Sequence, residues 1–123
     1  MSVAAMKGFF HLDGIPEEQV TPLIGRKIVT GEKEMVVFWR ARAGAHAAAH
    51  RHPNEQIFVM LSGTMKFRIG DETRVCGKGD VCVIPGGVEH EAWWLEDTEV
   101  VDIFAPPRED FLSGAPPAYM RKG

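Results

Sequence analysis

The run GAHAAAHRHPNEQ, residues 44–56, decides how this chain is read. His50 and His52 stand two residues apart, so on an extended strand their rings share one face. Along such a strand they lie about 7 Å apart, close enough to converge on one ion. Neutral imidazole is the commonest protein ligand for a transition metal. A third and a fourth donor then have to arrive from neighbouring strands. Gln56 follows His52 by four residues and precedes Gly63, in a Leu61-Ser62-Gly63 turn signal, by seven. A second run, GDVCVIPGGVEH at 79–90, ends on His90 and carries its own glycine and proline punctuation. Both read as strand–turn–strand units that deliver a ligand at a fixed offset from a turn. Together His50, His52, Gln56 and His90 read as one metal site.

The rest of the chain suits a small folded protein. Its 123 residues predict one domain, long enough for a core of its own. Hydrophobic content of 45% and charged content of 25% are ordinary for a globular chain. The net charge is −3 and no basic block occurs, which argues against a nucleic-acid partner. The N-terminus lacks an apolar stretch of secretory length, and no run approaches the length of a membrane span. A cytoplasmic location is therefore expected. The two cysteines, Cys76 and Cys82, are not spaced as a Cys-x-x-Cys pair. Cys82 alternates with valines and is expected to be a buried strand thiol.

Short strands account for most of the sequence. Met35–Ala43 is rich in β-branched and aromatic residues and stops at Gly44. Ile57–Leu61 and Met65–Ile69 flank the Ser62-Gly63 turn, a hairpin signal. Val81–Ile84 ends at Pro85-Gly86-Gly87, and Glu91–Leu95 and Val100–Phe104 follow around a polar turn. Such short strands with frequent turns argue for an all-β sandwich or barrel. Ile15–Val20 is expected to form one helical turn, since Pro16 suits a first helical position and Glu17 and Glu18 suit the first turn. The tail Ser113–Gly123 is expected to be loose or an irregular arm.

The two quoted runs resemble the paired motifs of the cupin superfamily. The first is similar to G-x5-H-x-H-x3-E-x6-G, with Gln56 where Glu usually stands. The second is similar to G-x5-P-x-G-x2-H-x3-N, with Trp94 where Asn usually stands. The resemblance implies a small antiparallel β-barrel, the double-stranded β-helix or jelly roll. It places the barrel core at about residues 34–108, an N-terminal arm at 1–33 and a tail at 109–123. It also implies one divalent transition metal (Ni, Zn, Fe or Mn) inside the barrel, held by His50, His52, Gln56 and His90. Glu55 is the rival to Gln56, but adjacent strand residues face opposite ways, and spacing favours Gln56. Small cupins commonly dimerise, so a homodimer is expected, with Met6–Leu12 as a candidate contact.

Three imidazoles and an amide are all neutral, so a divalent ion keeps its full charge. That favours Lewis-acid polarisation of an oxygen substrate over redox chemistry. A catalyst also needs a proton acceptor and, for an acidic substrate, a cation. Asp102 and Phe104 share a strand face, and Arg108 follows. An Asp within an apolar strand is costly without a partner, and spacing alone slightly favours an Asp102–Arg108 ion pair at the barrel rim. The ending DIFAPPREDFL and the Glu55-Gln56 pair look like the small bacterial cupins of pectin and alginate breakdown. That likeness implies linearisation of 4,5-unsaturated galacturonate. Asp102 would be the acid/base, Arg108 the carboxylate holder, and Phe104 a wall against the sugar ring. Trp94 shares parity with His90 and is the tryptophan expected to line the cavity. His46 is expected at the surface or behind the ligands. Tyr119, the only tyrosine, lies in the tail, which weakens a tyrosine-dependent lyase. An Fe(II)/O2 dioxygenase and a non-catalytic binder of a small sugar or acid are the alternatives to the uronate enzyme.

Overall fold

In the computed structural model, residues 4–114 and 118–120 are described. Among these, ten strands form two antiparallel sheets. In chain order they are β1 (Glu18–Thr21), β2 (Ile24–Thr30), β3 (Met35–Ala41), β4 (His46–His50) and β5 (Glu55–Ser62). They continue as β6 (Met65–Ile69), β7 (Glu72–Cys76), β8 (Val81–Ile84), β9 (His90–Trp94) and β10 (Thr98–Ala105). One six-stranded sheet runs β1-β2-β3-β10-β5-β8, and a four-stranded sheet runs β4-β9-β6-β7. A short helix, α1 (Glu109–Leu112), and a 3₁₀ turn at Ala118–Met120 follow β10. This is the jelly-roll arrangement expected of the sequence.

Alternation sets the two faces. Along β3, Met35, Val37, Trp39 and Ala41 are buried between the sheets, while Val36, Phe38 and Arg40 face outward. Cross-strand register carries that parity across the larger sheet. Thr30, Met35, Phe104, Gln56 and Ile84 form one inner row. Ile28, Val37, Asp102, Phe58 and Cys82 form the next. The register therefore puts Asp102 and Phe104 inside, beside Gln56.

Four sequence expectations are corrected. Ile15–Val20 is not helical: Glu18–Thr21 is a strand paired to β2, because its residues find ladder partners there, and the nearby 3₁₀ turn sits earlier at Leu12–Gly14. Residues 18–30, assigned by the motif boundaries to an arm, are two strands of the larger sheet. Ile57–Leu61 and Met65–Ile69 do not pair with one another. They lie in different sheets, and the Ser62-Gly63-Thr64 turn carries the chain across. The hairpin partner of β6 is β7, which the polar sequence Glu72–Cys76 had concealed. Cys76 and Cys82 are free and only half-buried. Of the expected tail, residues 115–117 and 121–123 lie outside the described residues.

Gly63 makes the crossing feasible. Its φ is +84°, and a Cβ there would collide with the Asp97 carbonyl and Thr98. Gly63→Ala should lower the unfolding free energy by roughly 3 kcal/mol, read from urea denaturation. No helix among the described residues is long and apolar enough to cross a membrane.

Candidate metal centre and adjoining cavity

Three imidazoles meet at one end of the barrel. His50 ends β4, His90 begins β9, and the two are cross-strand partners. His52 lies beyond the end of β4, in the turn before β5, so strand parity does not aim it. Its position is fixed instead by the Gly87 backbone N–H, which donates to the His52 carbonyl (2.8 Å). Gly86 allows that approach, since a Cβ there would run into the Pro53 carbonyl.

One hydrogen-bond pattern orients all three rings. Nδ1 of His50 faces the Ala48 carbonyl (2.7 Å), that of His52 the Asn54 carbonyl (3.0 Å) and that of His90 the Val88 carbonyl (2.9 Å). A carbonyl only accepts, so each Nδ1 carries the proton and each Nε2 presents a lone pair. The potential ligand atoms of the three lie within 4.8 Å of one another. Burial lowers the pKa of His50 from 6.5 to about 3 and that of His52 to about 4, and it lowers His90 as well. The nearby Arg108 charge acts in the same direction on each. All three are thus neutral at pH 7, the form that binds metal.

Two features show that these residues fit a cation. His90 Nε2 is buried with no hydrogen-bond partner among the described residues. Gln56 Oε1 lies 3.0 Å from His52 Nε2, so two acceptors face one another. A cation between them would satisfy both. Gln56 is buried and Glu55 exposed, as adjacent strand residues must be. The Gln56 amide also acts on Asp102, holding its pKa down, so this side chain lies between the imidazole cluster and the carboxylate.

Asp102 faces the barrel cavity with Trp94, Phe104 and Phe58. Burial raises its pKa from 3.8 to about 6, opposed by the Gln56 amide, the Trp39 indole and the Arg108 charge. Arg108 does not pair with Asp102, which corrects the rim ion pair favoured by spacing. Its guanidinium donates through Nε and Nη2 to the Asp110 carboxylate, at 2.9 and 2.6 Å. Asp110, two residues on, reaches the fork without leaving the rim, whereas Asp102 lies in the inner row. Arg108 is 3% exposed and lies 5.2 Å above the Phe104 ring. Phe104 meets His52 edge-on, with centroids 5.6 Å apart. Trp94 lines the cavity, while Trp93 stacks on His46 on the outer face, where His46 also bonds Glu91 at 2.6 Å.

Tyr119 is the site residue that sequence reasoning passed over. Its ring lies flat on His50, centroids 3.6 Å apart, and its hydroxyl accepts from Arg108 Nη2 at 2.9 Å. No spacing in the sequence signals this, because the 3₁₀ turn that carries it is positioned by tertiary contact with β4. Distance from the cluster thus fails as an objection to a tyrosine-dependent lyase. A different one replaces it: burial pushes the phenol pKa up, which makes it a poor proton acceptor at neutral pH.

Comparison with known proteins is consistent with this geometry. The family model for the cupin domain matches residues 30–104. The chain is 32% identical over 110 residues to the pectin degradation protein KdgF of Dickeya dadantii, covering 87% of this chain and 100% of that one. The solved structure of KdgF from a Halomonas species aligns with a TM-score of 0.80 at 34% identity, covering 85% of this chain and 100% of that chain. An RmlC-like cupin from Shewanella frigidimarina aligns with a TM-score of 0.82 at 23% identity, covering 86% and 96%, which bears on the fold alone.

Proposed function

The chain belongs to the cupin family, and from that premise we propose that it is a metal-dependent isomerase that linearises an unsaturated uronate such as 4,5-unsaturated galacturonate. The observation that carries this reading is a proton-accepting carboxylate, Asp102, on the cavity that His50 and His90 also line. The pectin-degrading role named for the Dickeya relative supports the substrate class.

His50, His52, His90 and Gln56 would hold a divalent transition metal. Bound there, it supplies Lewis acidity toward substrate oxygens. The remaining work belongs to side chains. Arg108 holds the uronate carboxylate and Phe104 packs against the sugar ring. Asp102 takes the proton of the anomeric hydroxyl as the ring C–O bond breaks, leaving an aldehyde and an enolate. Returning that proton to C4 converts the enolate to the 5-keto form. No atom or electron is gained, so no oxidant is needed. Incubating metal-loaded protein with 4,5-unsaturated galacturonate without oxygen should remove the vinylic NMR signal and produce the open keto acid. Oxygen uptake dependent on Fe(II), with the uronate unchanged, would instead establish the dioxygenase alternative.

The reading extends to a homodimer. Across the outer face of the larger sheet, Val29, Val36, Ile103, Ile57 and Val83 form one row. Lys27, Phe38, Val101, Val59 and Val81 form the next. A sheet face this apolar is what a second sheet covers. Val101→Glu, at the centre of the second row, should shift the mass measured by light scattering from dimer to monomer while leaving the circular dichroism spectrum unchanged.

A further inference from the structure

The cavity that Asp102 faces is too small for the substrate. Its volume is about 40 Å³. At about 10–15 Å³ for each water by this measure, it holds roughly three. Sites for small organic ligands measure about 300–1,000 Å³. Just outside lies a recess of about 660 Å³, walled by Arg51, His52, Pro53, Asn54 and Pro107. Three residues line both spaces: His50, Arg108 and Tyr119. They form the partition between them. His50 is anchored in β4 through its Nδ1–H, and Arg108 is clamped by Asp110. Tyr119 comes from a separate 3₁₀ turn, not from a strand. Among the described residues its phenol bonds Arg108, and its ring stacks on His50 and packs at the edge of the core.

The placement of that ring is informative. It lies 3° from parallel on His50, beside the imidazole cluster, as a sugar ring entering from the recess would lie. Its hydroxyl occupies a guanidinium N–H of Arg108, the group assigned to an acidic ligand. We propose that Tyr119 is a plug seated in the ligand's place, so that ligand entry and withdrawal of the Tyr119 ring are one event. The inference rests on the reading of His50 and Arg108 as the ligand-binding wall. It also defines what can enter: a ligand must offer a ring face to His50 and an acceptor oxygen to Arg108, the equipment of a cyclic oxygenated acid. Because the plug competes with the ligand, the measured affinity is the intrinsic one reduced by the fraction of molecules with the ring withdrawn.

Two measurements test this. In the metal-free full-length protein, carbethoxylation by diethyl pyrocarbonate is mapped by mass spectrometry. Modification of buried His90 is referred to that of exposed His11. Tyr119→Ala should raise the His90:His11 rate ratio at least tenfold, and Tyr119→Phe, which keeps the ring but loses the Arg108 bond, by a smaller factor. An unchanged ratio in both variants overturns the plug. Since Tyr119 is the only tyrosine, 3-fluorotyrosine labelling gives one fluorine resonance in the unsubstituted sequence. Saturating D-galacturonate should move it to the solvent-exposed position, and Tyr119→Ala should bind galacturonate several-fold tighter. Galacturonate binding with the resonance unmoved overturns the plug and leaves the uronate reading standing. Unmasking of His90 with no galacturonate binding to either protein supports the plug and removes the uronate reading.

Discussion

Replacing Asp102 by Asn should leave metal in the protein and lower kcat by about 10²–10⁴-fold, the range a positioned general base contributes. Asn has the same shape, so the packing beside Gln56 and the imidazole cluster persists. What disappears is the capacity to take a proton. Metal content by mass spectrometry and turnover by NMR separate the two effects, and an Asn variant that loses its metal would make Asp102 a structural member of the site. The wild type carries a pH signature as well. Burial raises Asp102 to about 6, and the ionised carboxylate is the active form, so kcat/KM should rise with pH through that region. The Asn variant should lack that rise. The same shift has the opposite sign for stability: between 3.8 and about 6 the folded chain holds a proton that the unfolded chain has lost, so this group's contribution weakens as pH rises there.

Removing His90 should have the largest effect on the metal. Four-ligand structural sites bind with about 10–16 kcal/mol, or roughly 2.5–4 kcal/mol per ligand, so His90→Ala should weaken affinity by on the order of 10²–10³-fold. Competitive titration against a chelator measures this. The wild type should also resist acid unusually well. Three exposed imidazoles of ordinary pKa would lose about 10⁴-fold in affinity between pH 8 and pH 5 through proton competition. Here burial has already excluded most of those protons, holding His50 near 3 and His52 near 4 and lowering His90, so affinity over that range should fall far less steeply. A steep fall in affinity would show that the rings are solvated in the metal-free protein.

How much of this was written in the sequence differs by residue. The inner strand Met35-Val36-Val37-Phe38-Trp39 announced itself by β-branched and aromatic content, and the alternation of its two faces appears only in the folded chain. The polar strands β1 and β7 gave no such signal. β1 ends the order of the larger sheet and β7 that of the smaller, so pairing with a neighbour defines them more than burial does. His50 and His90 were legible from spacing because turns flank them. His52 was legible as a residue but for an incomplete reason, since a backbone clasp from Gly87 aims it. Asp102 and Phe104 were recognised by period two, and cross-strand register then placed them beside Gln56. Arg108 was found, but its partner was not: a carboxylate two residues away in a new helix was preferred to one already committed to the interior. Tyr119 was invisible because nothing local links it to His50, and only the folded chain brings position 119 back to position 50.

Gln56 has one further consequence. Its oxygen faces His52 and its amide acts on Asp102, and an amide presents an acceptor and a donor in two directions at once. A carboxylate at 56 would confront the one at 102 with no hydrogen to share, and the pair would have to retain a proton between them. Positions 56 and 102 are therefore one chemical choice made in two places. The loss of unfolding free energy caused by Gln56→Glu should be partly repaired by Asp102→Asn, which restores a donor on the opposite side of the contact, while turnover stays low because the proton acceptor is gone.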